Sequence, residues 1–99
     1  MDKVEFAKAL ADETRQQIMA LCCCRQLSVS DIVNALNVSQ PTVSHHLAVL
    51  KRAGLVRSER RGKQVFYTLN HEQIVAGCCQ VAEEFAPGYP LRVVQPEER

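Results

Sequence analysis

The thiols of this chain come in two clusters, Cys22-Cys23-Cys24 and Cys78-Cys79. Thiolate sulfur binds soft ions such as trivalent arsenic or antimony, cadmium, mercury and zinc; it is oxidised to disulfides, and a sulfane-sulfur donor turns it into a persulfide. An odd number of cysteines crowded into two places is not the framework of a secreted disulfide scaffold, so free thiols in a reducing, cytoplasmic setting are expected. Consecutive helical residues diverge by about 100°, so Cys22, Cys23 and Cys24 cannot all face one ion unless the helix unwinds. A site assembled across elements fits better. Cys22 continues a face begun by Ile18 and Leu21, and Cys78 follows Ile74 toward Val81; both read as small packing hydrophobes. Cys23, Cys24 and Cys79 fall off those stripes and read as reactive thiols, with Arg25 near enough in sequence to favour a thiolate.

A second set of functional groups occupies the middle of the chain. Gln40, Thr42, Ser44 and His45 precede the bases Lys51, Arg52, Arg57, Arg60, Arg61 and Lys63, and the only acid between Lys51 and Lys63 is Glu59. The chain as a whole carries only +1, so this excess is local. A local basic field neutralises phosphates and steers association with them. Short amide and hydroxyl side chains at the front of a helix suit the edges of bases, and Gln40 matches adenine. His46 falls beside Val43 and Leu50 on the helical wheel and reads either as a packing histidine or as a further reader.

Both sets need elements to position them. Val4, Phe6, Ala7 and Leu10 suggest a first helix, and Asp12 caps a second that turns Ile18, Leu21 and Cys22 inward. Ser28-Val29-Ser30-Asp31 has the form of a capping box and opens a short third helix carrying Ile32, Val33 and Leu36, with Asn37 as its stop. Ser39 caps a fourth helix in which Pro41 costs little and Val43, Leu47 and Leu50 form the buried stripe; Gly54 closes it. Leu55-Val56 and the run from Gln64 to Leu69 read as strands joined by the polar tip Arg60-Arg61-Gly62-Lys63. Asn70 and Gln73 signal a last helix, with Ile74, Cys78, Val81 and Phe85 on one stripe and Val75, Cys79 and Ala82 on its neighbour, ended by Pro87-Gly88. The expected fold is mainly α with a small β-hairpin, a winged helix-turn-helix of order α-α-α-α-β-β-α over residues 1–86, followed by a mobile tail over 87–99.

At 99 residues the chain has one core and gains from a partner subunit, and its 46% hydrophobic and 23% charged residues are ordinary for a folded soluble domain. No apolar run is long enough for a signal peptide or a membrane span. Catalysis would need an activated nucleophile such as Cys23 or Cys24 with His71. No supporting motif accompanies them: there is no Cys-x-x-Cys, no Gly-rich phosphate loop and no His-Glu-x-x-His.

Leu10-Ala11-Asp12-Glu13-Thr14-Arg15, Ser39-Gln40-Pro41-Thr42-Val43-Ser44-His45-His46-Leu47 and Ala53-Gly54-Leu55-Val56, in this order of elements, resemble the ArsR/SmtB family of bacterial winged-helix repressors over residues 4 to 85. The resemblance implies a homodimer built on the first and last helices. It also implies binding to double-stranded operator DNA that is relieved when a metal ion, metalloid or oxidant engages the protein. On that basis Gln40, Thr42, Ser44 and His45 are expected at base edges and Lys51, Arg52, Arg60, Arg61 and Lys63 at phosphates. Where the family places a Cys-Val-Cys metal site this chain has Ser28-Val29-Ser30. Where it places a zinc site on the last helix the chain has His71-x-Gln73 and Glu84-x-x-Pro87. Both sites are expected to be lost. The remaining sensor candidates are Cys23, Cys24 and Cys79, then Cys22 and Cys78, with As(III), Sb(III) or a thiophilic divalent metal as inducer. The alternatives are a disulfide- or persulfide-based redox repressor, and a winged helix that contacts proteins without binding DNA.

Overall fold

The computed structural model describes residues 2–90. Its elements run α1 (Lys3–Leu10), α2 (Glu13–Cys22), β1 (Leu27–Ser28), α3 (Val29–Leu36), α4 (Gln40–Arg52), β2 (Val56–Arg61), β3 (Gln64–Leu69) and α5 (His71–Phe85). This is the winged helix-turn-helix expected from the sequence, with one added element. The two-residue β1 pairs antiparallel with β3, Leu27 opposite Tyr67 and Ser28 opposite Phe66, and converts the hairpin into a sheet of order β1-β3-β2. Two residues show no periodicity, and Ser28 has a second task that masks the strand. As N-cap of α3 it accepts a hydrogen bond from the Asp31 N–H (3.2 Å), while its own N–H donates to Asp31 Oδ2 (3.0 Å), the reciprocal capping box.

The helix boundaries follow from their caps. Asp2, Asp12, Ser39 and Asn70 each stand in extended backbone and accept from a first-turn N–H of α1, α2, α4 and α5. Asn37 ends α3 in the left-handed region at φ 56°, which asparagine tolerates better than most residues. Gly54 follows α4 at φ 78° and turns the chain into β2.

The core lies where α2, α3 and α4 meet under the sheet. Ile18, Ile32, Val43, Leu47, Leu50, Leu55 and Cys22 are its largest fully buried side chains. Burying each aliphatic side chain of this size contributes about 1.5–3 kcal/mol relative to leaving it in water. The wing is tied to the end of α4 by Asn70, whose Nδ2 donates to the Gly54 carbonyl (3.1 Å) and whose N–H donates to the Leu55 carbonyl (2.8 Å).

α5 departs from the sequence expectation. Of the stripe Ile74, Cys78, Val81 and Phe85, the structure leaves Ile74 and Val81 half-buried and Cys78 and Phe85 exposed, with Phe85 72% accessible; Gly77 is the helix's buried residue. Cys78 is therefore not a packed core residue within the protomer. An amphipathic pattern reports that a face wants cover, but not whether that cover comes from the same chain. Of the tail expected to be mobile, residues 87–90 are exposed and the remainder lies outside the described residues.

Candidate nucleic-acid interface

α4 separates its two faces as its sequence requires. Val43, Leu47 and Leu50 are buried, whereas Gln40, Thr42, Ser44 and His45 are exposed on the first two turns. Ser39 Oγ accepts from the Thr42 N–H (3.4 Å) and donates to Thr42 Oγ1 (2.9 Å), so the Thr42 hydroxyl is oriented by the cap and keeps its own proton to donate. His46 is set apart from these four. Its side chain is 12% exposed, its Nδ1 lies 3.1 Å from Arg15 Nη1, and its Nε2 lies 4.0 Å from Asp12 Oδ1. It is a packed histidine, which decides between the two readings its sequence position left open.

The bases divide by strand alternation. In β2, Arg60 shares a face with Ser58 and the buried Val56, whereas Arg61 shares the opposite face with Arg57 and Glu59. Arg61 is engaged within the chain: its guanidinium donates to Gln26 Oε1, lies 3.5 Å from Glu59 Oε1, and stacks 5.3 Å over the Phe66 ring. Gln26 Nε2 also donates to Glu59 Oε1 (3.0 Å), so this cluster stiffens the wing against β1. Arg57 pairs with Glu72 at 3.3 Å. Lys63, beside the turn at Gly62, and Lys51 are exposed. Arg52 lines a cleft with Glu5, Lys8 and Arg15, on the side of α4 that faces α1.

The thiols are arranged in pairs. Cys22 is fully buried and burial pushes its thiol up to about 11, so it is a neutral packing residue at physiological pH. Cys23 and Cys24 follow the end of α2, half-buried and exposed respectively, with their sulfurs 2.6 Å apart. The hydrogen bond with Cys24, then desolvation, raises the Cys23 thiol above its ordinary value and outweighs the opposing pull of Arg25. The expected Arg25-favoured thiolate at Cys23 is therefore corrected. Cys78 lines a groove between α1 and α5 with Phe6, Leu10 and Val81, and Cys79 borders Ala82 and Tyr89 on the neighbouring face. Among the described residues no three Cys, His, Asp or Glu side chains stand close enough to hold one metal ion. The positions at which the family's metal sites would lie are otherwise occupied. Ser28 caps α3, His71 Nε2 hydrogen-bonds the Cys23 carbonyl at 2.7 Å, and Glu84 pairs with Lys3 at 3.0 Å. Sequence reasoning missed the link from His71 to Cys23, which joins residues far apart in the chain and leaves no local pattern.

Residues 12–58 match the bacterial regulatory protein arsR family. The HTH-type transcriptional regulator KmtR of Mycobacterium tuberculosis is 39% identical over 88% of this chain and 69% of its own length. The chain belongs to the ArsR family. The arsenical resistance operon repressor of Escherichia coli is also 39% identical, over 82% of this chain and 69% of its own. In solved structures, the homodimeric winged helix-turn-helix DNA-binding domain of a possible ArsR-family regulator from Mycobacterium bovis superposes with TM-score 0.70 at 28% identity, covering 93% of this chain and 89% of that one. This ArsR-family chain is thus a DNA-binding transcriptional regulator and not an enzyme. Among its described residues no helix is long and apolar enough to cross a membrane.

Proposed function

We propose that this ArsR-family regulator is a homodimeric repressor that inserts the start of α4 into the major groove of its operator and lets go when an inducer engages its thiols. The observation that carries the DNA reading is the exposure of Gln40, Thr42, Ser44 and His45 on a helix whose apolar stripe is wholly buried. Those four side chains read base edges, while Lys51, Arg52, Arg60 and Lys63 hold phosphates. Arg61 joins them only by giving up contacts to Gln26 and Glu59, so it is the weakest phosphate ligand of the set.

The dimer reading is supported by the groove of about 530 Å³ between α1 and α5, lined by Phe6, Ala7, Leu10, Ala11, Cys78, Val81 and Ala82, and by the exposed Val4, Val75 and Phe85 on the same two helices. A second copy laid across this face by a two-fold axis buries it and sets two α4 helices for half-sites about one DNA turn apart.

For the sensor, the Cys23–Cys24 pair is the primary site. Its two sulfurs are already in contact and reachable, and its backbone is tied to α5 through His71, so ligation there acts on the proposed dimer helix. As(III), Sb(III) or a thiophilic divalent metal is the inducer class, with Cys78 and Cys79 as the second pair and Cys22 as packing. A coupling of this kind typically amounts to about 1–3 kcal/mol between thiol and DNA sites. The second reading, a redox one, uses the same two free, sequence-adjacent thiols. Hydrogen peroxide takes two electrons and two protons from the two thiols, leaves as two waters, and closes a Cys23–Cys24 disulfide.

The test is release of bound DNA during parallel titration with arsenite, antimonite, cadmium, zinc and peroxide, using wild type and the Cys23→Ser/Cys24→Ser and Cys78→Ser/Cys79→Ser variants. Release by arsenite or a metal that is lost in the first variant supports the primary reading, and release by peroxide alone supports the second. An undiminished response with both pairs removed contradicts the thiol sensor. Absence of DNA affinity even at low salt leaves only a protein-contact module.

A further inference from the structure

Arg15 spends its whole guanidinium on two other helices. Nε donates to the Ala9 carbonyl (2.8 Å) and Nη2 to the Lys8 carbonyl (3.0 Å), which also accepts from the Ala11 N–H (3.2 Å) at the end of α1, while Nη1 meets His46 Nδ1 on α4 (3.1 Å). A guanidinium only donates, so in this contact His46 Nδ1 is the acceptor and presents its lone pair. The other ring nitrogen, Nε2, lies 4.0 Å from Asp12 Oδ1. Asp12 stays ionised, because the Arg15 N–H it accepts in capping α2 holds its carboxyl below the usual range. The other charged or titratable neighbours are His45, with ring centroids 5.7 Å apart, and Glu5, Lys8 and Arg52, which share a cleft with the guanidinium.

We infer that Arg15 and His46 are positioning residues, a clamp that fixes the roll of the recognition helix relative to α1. The inference rests on the DNA reading above for its consequence but not for its geometry. Val43, Leu47 and Leu50 hold α4 to the core by apolar burial, which sets the buried face but is non-directional and leaves the finer rotation about the helix axis to directional contacts. A hydrogen bond to His46 is directional. Because His45 and Ser44 stand about 100° and 200° back around the helix, fixing the direction of His46 fixes theirs. The clamp also makes α4 follow α1, the helix proposed to form the dimer seam. The Asp12-x-x-Arg15 spacing thereby gains a purpose beyond capping: one residue caps α2 and faces His46 Nε2, and the other ties α1 to α4.

Two readouts test this. In the wild-type protein, nitrogen shifts of the His46 ring are expected to show Nδ1 unprotonated, as the acceptor of the Arg15 N–H; a protonated Nδ1 overturns the clamp whatever the protein does with DNA. Binding is then measured to the duplex that wild type selects from a random pool. His46→Leu, which keeps bulk but accepts nothing, is expected to lose about tenfold in affinity for the selected duplex with little change on a scrambled one. His46→Asn, whose amide oxygen occupies the Nδ1 position, is expected to stay within about twofold. In the same variants the backbone amide resonances of Gln40 to His45 are expected to move together in His46→Leu and to hold in His46→Asn. Equal affinity and unmoved amides in a folded His46→Leu protein overturn the inference. Failure of wild type to select any duplex defeats the DNA reading instead, and the ring tautomer with the α4 amide shifts still decides the clamp.

Discussion

Gly77 lies flat against the ring of Phe6. A methyl group in its place would come within 2.6 Å of Phe6 Cζ and closer still to the near edge of the ring, so the absence of a side chain is what lets α5 approach α1. Phe6 is 2% exposed and Gly77 is the buried residue of α5. The contact holds the two helices side by side and leaves Val4, Val75 and Phe85 exposed on them.

Gly77→Ala is therefore expected to destabilise the protein by about 1–3 kcal/mol through overpacking, a fall in melting temperature of about 4–8 °C for each kcal/mol at this size. Combining it with Phe6→Leu is expected to recover part of that loss. Thermal unfolding of the two single variants and the double variant checks both. A strictly additive double variant contradicts the assigned contact.

Thiol alkylation is expected to follow exposure. Cys24 reacts first, and Cys22, with no exposed surface and a thiol pushed up to about 11, reacts only as the chain unfolds. Cys78 is exposed in the protomer but lies in the groove proposed as the dimer seam, so its labelling is expected to slow as protein concentration rises. Mass mapping after timed quenching reads all three. Labelling of Cys78 independent of concentration argues against a seam at α1 and α5.

Much of the fold was legible because its signals are local. Ser28, Ser39 and Asn70 are caps whose partners lie three residues away, and Val43, Leu47 and Leu50 repeat at helical spacing. The contacts that leave no local signal join residues distant in the chain: β1 against β3, His71 on the Cys23 carbonyl, and Arg15 on His46. The candidate interface was readable from residue types, but Arg60 and Arg61 look equivalent in sequence and differ only once strand pairing sends them to opposite faces. Cys78 stands on a helical stripe yet is exposed in this chain, because such a stripe marks an apolar face and not what covers it.

Asp12 supplies a pH-dependent contribution. Its carboxyl is held below the ordinary value chiefly by the Arg15 N–H, so its contribution to stability is complete above the unfolded-state value of about 3.8 and disappears as pH falls through the lower folded-state value. Asp12→Ala is expected to melt at lower temperature than wild type at pH 7, and the gap is expected to close in acid. Melting curves across that range check the sign. A gap that widens in acid contradicts it.

Lys63→Ala and Arg60→Ala are each expected to lower the slope of log affinity against log salt by about one and to weaken selected and scrambled duplexes alike. Arg61→Ala is expected to change the slope less, because its guanidinium is already held by Gln26, Glu59 and Phe66. Equal slopes for all three variants contradict the division of the wing by strand face.

The most direct measurement compares binding of wild type and the Ser44→Ala/His45→Ala variant to the duplex wild type selects and to a scrambled duplex over a range of salt. Affinity for both is expected to fall steeply with salt, and the variant is expected to lose discrimination by about 1–3 kcal/mol per contact removed while keeping its affinity for the scrambled duplex. Discrimination unchanged in the variant, or an affinity indifferent to salt, contradicts a recognition helix at α4.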